Sequence, residues 1–327
     1  MPEKIIFCQP IFKTAIWGGN NLSKIFNVNP PFEKVSEIWT ASAHKNGETP
    51  ITIGGDTKAL SLSQYYQDEK EIFGLNCRKY KDFPLLIKWL DANDKLSVQV
   101  HPGDDYAKKH YDSLGKTEAW YIVSAKPGAQ IVYGLKPGTT KKALITAITE
   151  NRIEDVLNFV PVKAGDVFFI PAGMVHALLD GVVVYEIQQS SDITYRLYDW
   201  NRVGADGNPR ELHIQEALDV IDFDNNINVS AYNNNVLNED KLLRLILESK
   251  YFDLRIRNVN QNAISSTATT KASFKLCSVL TGSITIGNED YSHQVNAGES
   301  FIIPAAEGYI GGCSFCGNAT IMEATVK

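Results

Sequence analysis

Gln99, His101, Glu118 and His176 are the residues of this sequence whose types and spacing could do chemistry together. Ser97, Gln99 and His101 alternate with Val98 and Val100. On a β-strand alternate residues share a face, so this segment presents one polar face and one apolar face. Burying a hydroxyl, an amide and an imidazole side by side is costly unless something binds them. A divalent metal satisfies the amide oxygen, the imidazoles and the Glu118 carboxylate at once. A second block, Gly165-x5-Pro171-x-Gly173-x2-His176, reads as a strand (Asp166–Ile170), a turn at Pro171-Ala172-Gly173 and a new strand carrying His176. Strands closing into a barrel would bring that second imidazole to the same cavity. The chemistry expected is metal-dependent and lies inside a β-barrel.

The elements that must position these residues are short and β-rich, punctuated by Gly, Pro and Asn. Val182–Ile187, Thr194–Tyr198, Phe274–Leu280 and Ser300–Pro304 are examples. Helical spacing is confined to insertions at about 60–80, 104–112 and 139–160. Leu60–Phe73 reads as a helix capped by Ser61 or Ser63. Asp104–Tyr111 opens with acidic residues suited to a helix N-terminus. Thr139–Val160 reads as two helices with Thr140 as a cap, and Glu211–Ile221 as a further one. The Asn-rich stretch Asp224–Asn238 reads as an exposed linker.

One internal repeat sets the architecture. Val162-Lys-Ala-Gly-Asp-Val-Phe-Phe-Ile-Pro171 matches Val295-Asn-Ala-Gly-Glu-Ser-Phe-Ile-Ile-Pro304 at six of ten positions. The expected fold is mainly β, with two β-barrel modules, the first enlarged by the helical insertions. Residues 1–235 form the catalytic, metal-binding module and 236–327 the second. Carrying the offset forward puts Tyr309 at the place of His176 and Ala306 at that of Gly173, and the second copy has no Gln-x-His. The metal is therefore expected in the first module alone.

Bulk properties narrow the class. The 327 residues, 44% hydrophobic and 21% charged, suit a globular enzyme of two domains. A net charge of −6 argues against nucleic acid or an anionic membrane as the main partner. An anionic substrate would then need a local basic pocket. No signal-peptide pattern opens the chain and no apolar run is long enough to span a bilayer. Five cysteines without framework spacing point to reduced thiols and a cytoplasmic location. Cys313-Ser-Phe-Cys316 has no second pair or nearby His to complete a zinc site, and reads as strand packing.

Several segments in order carry a family resemblance: Ile16-Trp-Gly-Gly19, Ser36-Glu-Ile-Trp39, Leu96-Ser-Val-Gln-Val-His-Pro-Gly103, Gly115-Lys-Thr-Glu-Ala-Trp120, Gly173-Met-Val-His176 and Glu186–Asp199. They resemble the type I mannose-6-phosphate isomerases of the shorter bacterial kind, within the cupin superfamily, which implies that the two modules are cupin-like β-barrels (jelly rolls). The resemblance runs from about residue 10 to 215, and the second module fits more loosely. It implies one Zn2+ per chain on Gln99, His101, Glu118 and His176. Glutamine and two imidazoles are neutral, so one carboxylate leaves about one net positive charge on the ion, a useful Lewis acid. Glutamine is an uncommon zinc ligand, and iron or manganese fit the spacing too.

The implied reaction interconverts mannose 6-phosphate and fructose 6-phosphate by proton transfer between C1 and C2 through an enediol. The resemblance puts Arg196 beside the reacting carbons, where strand alternation with Thr194 and Tyr198 is consistent with an inward guanidinium. It places Lys116 and Asp192 near the site, and either could shuttle the proton. Ser97, Lys88 and Arg202 match phosphate-binding positions, with arginine at 202 where relatives often carry lysine. Expected partners are a small phosphosugar, no nucleic acid and no membrane, for a monomer or homodimer.

Two alternatives stand beside the isomerase. One is a non-catalytic sugar-phosphate-binding cupin, which loss of a metal ligand would favour. The other is another metal-dependent cupin enzyme, such as a dioxygenase, in a more apolar pocket. Arg196 could instead pair with Asp199 or Asp192. His44, His110, His213 and His293 read as surface or hydrogen-bonding residues, with His44 the first exception to consider. Trp17, Trp39 and Trp120 read as core packing.

Overall fold

The computed structural model describes residues 5–204, 207–224, 242–260, 265–266, 269–287, 292–306 and 314–327. Three antiparallel sheets and a two-stranded hairpin carry the fold. A six-stranded sheet has the order Val167–Ile170, Glu118–Ala125, Val182–Gln189, Leu85–Ala92, Glu37–Ala41, Ile11–Lys13. A five-stranded sheet runs Leu157–Pro161, Gln130–Leu135, His176–Leu178, Val98–Val100, Tyr195–Tyr198. Leu90, Trp120, Ile122, Ile170 and Val184 of the first pack on Ile131, Tyr133 and Leu178 of the second. Period-two alternation turns the other residues of the six-stranded sheet, among them Ile87, Trp89, Ala119, Tyr121 and Tyr185, to its opposite face. There they meet Leu254, Leu276, Ile302 and Met322 of the third sheet.

That third sheet has ten strands. Its path is Leu243–Glu248, Phe252–Val259, Ser314–Val326, Lys275–Gly287, Ser300–Ile303, Ile6–Cys8, Pro50–Ile53, Leu60–Ser61. N-terminal strands thus hydrogen-bond onto the C-terminal ones, with Ile6 opposite Ile302. The ten-residue repeat occupies equivalent places in two sheets. Glu118 pairs with Ile170 in one, and Lys275 with Ile303 in the other. Trp120 pairs with Glu186, and Cys277 with Glu323. The mainly β, two-cupin reading therefore holds.

The insertions are helical with one correction. Ser61 accepts from the Gln64 N–H and caps Leu62–Asp68, which continues as a 3-10 turn, Lys70–Phe73. Asp104–Tyr111 is helical as read. Thr140 caps Lys141–Thr149, but no second α-helix follows. Asn151 turns left-handed at φ 54°, a single 3-10 turn covers Ile153–Val156, and Leu157–Pro161 pairs as an edge strand. The apolar spacing that looked helical there serves a short turn and then β alternation. The helix expected over Glu211–Ile221 runs Ile214–Val220, beginning later than Glu211, and a short helix not read from the sequence covers Asn21–Phe26. Apart from Asp224 the Asn-rich stretch lies outside the described residues, as do Tyr309 and Cys313. Cys316 is an exposed strand residue, while Cys8, Cys77 and Cys277 are buried and in no disulfide. Among the described residues no helix is long and apolar enough to cross a membrane.

Candidate active site

A single row of side chains crosses the five-stranded sheet. His176 stands directly opposite Gln99, and Gln99 directly opposite Arg196. Direct partners in an antiparallel pair share a face, so the three project together, while Val98 and Val100 turn to the apolar cluster behind. Glu118 reaches the same space from the facing six-stranded sheet.

Two turns set the remaining geometry. Gly173 adopts φ +86°, and its N–H donates to the His101 carbonyl at 2.8 Å, which ties the turn before His176 to the end of the Gln99 strand. Gly115 precedes Lys116-Thr117-Glu118 and donates its N–H to Asp104 at 2.9 Å. A Cβ at Gly115 would meet the Asp104 nitrogen and the Gly103 carbonyl carbon at 2.6 Å each, so only glycine allows this approach.

His101, Glu118 and His176 are completely or almost completely buried. Each imidazole has one ring nitrogen committed to a backbone carbonyl. His101 Nδ1 donates to Ile193 O at 2.9 Å and His176 Nδ1 to Met174 O at 2.8 Å. A carbonyl only accepts, so the proton sits on Nδ1 and each Nε2 offers a lone pair. Those Nε2 atoms are 3.2 Å apart. Glu118 oxygens lie 3.5 Å from one and 3.3 Å from the other, and the Gln99 amide is 3.4 Å from His176 Nε2. A half turn of that amide about its terminal bond presents its oxygen.

Four electron-rich groups converging this closely repel one another unless a cation lies among them. Ligands about 2.1 Å from a tetrahedral ion are separated by roughly 3.4 Å, which matches the spacing here. Neither Glu118 oxygen receives a well-directed hydrogen bond, although the Lys116 ammonium stands 2.8 Å from Oε2 and 2.8 Å from His101 Nε2. The residues therefore fit a zinc ion.

The electrostatics agree. Burial, Lys116 and His176 hold His101 well below its ordinary value, and burial brings His176 down to about 4, so both imidazoles are neutral. Burial and the neighbouring Glu186 push Glu118 up to about 7. Burial would also raise Glu186, but Lys88 and Lys116 outweigh it. At Glu118, Lys116 and Lys88 oppose the rise without cancelling it, so the site still favours additional positive charge.

The other expected residues fall into two groups. Ser97 donates to the Gln99 amide at 3.4 Å and stays on the metal face. Lys88 is buried between Glu186 at 3.5 Å and Glu37 at 3.9 Å. Arg196 donates to the Glu211 carbonyl at 2.7 Å and leaves its Nε without a partner. It makes no ion pair with Asp199 or Asp192. Asp199 is gripped instead by Arg202 at 3.0 Å and by Arg210 through Nε at 2.7 Å. Arg202 also reaches Asp94 at 3.1 Å, close in sequence to Ser97. Asp192 lies apart from these arginines and pairs with His44 at 3.4 Å and with Asn46. Trp120 bonds Glu186 at 2.8 Å and sets its edge against His176, and Trp17 is core.

Sequence reasoning passed over Glu37, Glu186, Lys13 and Arg210. Alternation puts Glu37 on a strand face with Trp39, but the approach of Glu186 to Trp120 and Lys88 comes from cross-strand pairing, which local spacing does not show. Arg210 sits in irregular backbone and carried no such signal.

Residues 6–127 match the family model of the phosphomannose isomerase type I catalytic domain, and residues 244–313 that of the mannose-6-phosphate isomerase cupin domain. A mannose-6-phosphate isomerase of Streptococcus mutans is 39% identical over 91% of this chain and 92% of its own length. One from Bacillus subtilis is 36% identical over 93% and 94%. The crystal structure of a B. subtilis mannose 6-phosphate isomerase superposes with a TM-score of 0.86 at 34% identity, covering 98% of this chain and 99% of that one. With its fold, its buried donor set and its near full-length relatives in agreement, this chain belongs to the type I mannose-6-phosphate isomerase family.

Proposed function

We propose that the chain interconverts D-mannose 6-phosphate and D-fructose 6-phosphate by proton transfer between C1 and C2, with one zinc ion on Gln99, His101, Glu118 and His176. The observation that carries this reading is the convergence of three buried donors, His101, Glu118 and His176, with the half-buried Gln99 at 3.4 Å from His176, in a member of this family. All four donors are present, which argues against a binding protein that lost its chemistry. When bound, zinc supplies a Lewis acid towards a sugar oxygen.

Lys116 is the proposed proton carrier. It is buried and has its amine among the donor atoms. Asp192 suits that task less well, because His44 and Asn46 hold its carboxyl down at about 2 and leave it a weak base near neutrality. Arg196, level with Gln99 and with an unpartnered Nε, faces the oxygen charge that develops in the enediol. Arg202, with Ser97 nearby and Arg210 beside it, receives the phosphate; a guanidinium fork suits that anion. Lys88, shared between two carboxylates, adds positive potential at the metal end.

The catalytic work is assigned to residues 1–235, in a cytoplasmic monomer or homodimer. Three buried cysteines outside any disulfide, Cys8, Cys77 and Cys277, suit a reducing compartment. Proton NMR of mannose 6-phosphate with the purified chain in D2O tests the reading. Fructose 6-phosphate should form, with solvent deuterium at C1 in part of the product. Absence of conversion would refute the isomerase, and conversion without any exchange would replace the enediol by a hydride shift.

A further inference from the structure

The hairpin Ala43–His44/Gly47–Glu48 is a separate two-stranded sheet that contacts Asp192. Its imidazole has a defined tautomer. The Asn46 backbone N–H donates to His44 Nδ1 at 3.2 Å, so the ring proton is on Nε2, which faces Asp192 Oδ1 at 3.4 Å. The Asn46 side-chain amide donates to the other oxygen, Asp192 Oδ2. One carboxylate is thus held at both oxygens by a single hairpin.

The hairpin is itself anchored on the functional strands. Lys13 Nζ donates to Asn46 O at 2.6 Å and lies 3.4 Å over the Trp39 ring. A Cβ at Gly47 would meet Lys13 Cε and Trp39 Cε3 at 2.9 Å each, so the tip is pressed onto that pair. Trp39 in turn donates to Glu37 at 2.6 Å, the partner of Lys88. From the other end, Asp192 precedes Ile193, whose carbonyl fixes the His101 ring. His101, Glu118 and His176 are buried, whereas the Asp192 side chain is 37% exposed.

We propose that His44 and Asn46 are positioning residues that hold Asp192 in one orientation, as an ionised acceptor for a sugar hydroxyl next to the reacting carbons. This rests on the isomerase reading above. His44 acts through Asp192, since both its ring nitrogens are engaged. Fixing the acceptor before the sugar arrives removes the cost of orienting it during binding and reaction.

Steady-state kinetics of His44→Ala, His44→Gln, Asp192→Asn and the double variant His44→Ala/Asp192→Asn test the proposal, each with zinc content and melting temperature measured. A hydrogen bond to a charged group sets the scale, so His44→Ala should lower kcat/KM roughly tenfold or more at unchanged zinc content. His44→Gln, which retains an N–H donor, should recover most of the loss. The double variant should be no slower than Asp192→Asn, because His44 has nothing left to orient. Wild-type kcat/KM in His44→Ala, or losses that multiply in the double variant, would overturn the proposal. Long-range 1H–15N spectra read the clamp without turnover. The Asn46 N–H keeps the His44 tautomer the same in both proteins, but the His44 Nε2–H resonance should move when the acceptor it faces changes in Asp192→Asn, and an identical spectrum in both would overturn the proposal. A wild type that fails to convert mannose 6-phosphate while its clamp spectrum behaves as expected would instead count against the isomerase reading.

Discussion

Glu118 and Lys275 occupy the same position in two copies of one strand pairing, opposite Ile170 and Ile303 respectively. In the first copy the position carries a carboxylate, with the Lys116 ammonium 2.8 Å away; in the second the side chain is itself the cation. Lys275 Nζ stands 3.0 Å from Glu323, and Arg257 pairs with the same carboxylate. Glu323 holds the place that Glu186 holds beside the metal site. An ammonium carried by the chain thus neutralises the buried acid of the second copy without a metal.

Lys275→Met should therefore destabilise the fold by about 3 kcal/mol, the scale for breaking a buried ion pair. Zinc content should stay at one ion per chain, and Lys275→Met/Glu323→Gln should regain part of the loss. Differential scanning calorimetry with metal analysis checks this. An unchanged melting temperature in the single variant would mean that Lys275 does not neutralise Glu323.

Lys116→Met should lower kcat by about 10²- to 10⁴-fold, the range for removing a general acid or base. It should keep zinc at least as tightly as the wild type, because a cation competing for Glu118 and His101 has gone. Equilibrium dialysis beside the kinetics separates the two effects. A variant that loses metal and activity together would make Lys116 a structural residue.

Arg202→Ala should raise KM for mannose 6-phosphate by roughly tenfold to a hundredfold with a smaller change in kcat, the signature of lost ground-state binding. Arg202→Lys should recover only part, since an ammonium lacks the planar fork that Asp199 and Asp94 now engage. Inhibition by inorganic phosphate should weaken in parallel. Unchanged phosphate inhibition would place the anion elsewhere.

Asp192 gives a pH dependence with a definite sign. His44 and Asn46 lower its carboxyl from 3.8 to about 2 in the folded chain. A depressed folded value stabilises the protein above the unfolded value, and that contribution disappears as pH falls through the folded one. The stability difference between wild type and Asp192→Asn should therefore be constant above about pH 5 and shrink from there to pH 2. Urea unfolding at stepped pH measures it, and a difference independent of pH would show that Asp192 is not held ionised by the fold.

Much of this site was legible in the sequence because period-two alternation is a local rule. It put Ser97, Gln99 and His101 on one face, and the turn glycine explained His176. The repeat exposed the two related sheets and the missing ligands of the second. Thr139–Val160 misled because Ile153, Val156 and Leu157 satisfy a helix period over one turn, while Asn151 and cross-strand pairing with Gln130–Leu135 decide the outcome. The carboxylate cage around Lys88 and the arginine pair on Asp199 depend on which strands and loops become neighbours. No local spacing encodes that, so Arg210 and the His44 clamp emerged only in three dimensions.

The central claim is that a zinc ion on the four converging donors drives sugar-phosphate isomerisation. The most direct measurement is a coupled assay of mannose 6-phosphate turnover in the purified chain, before and after chelation and then with zinc restored, run beside His176→Ala. Activity should disappear with the chelator and return at one zinc per chain, and His176→Ala should fold but neither hold the ion nor turn over. Full activity in the chelated chain, or in His176→Ala, would contradict it.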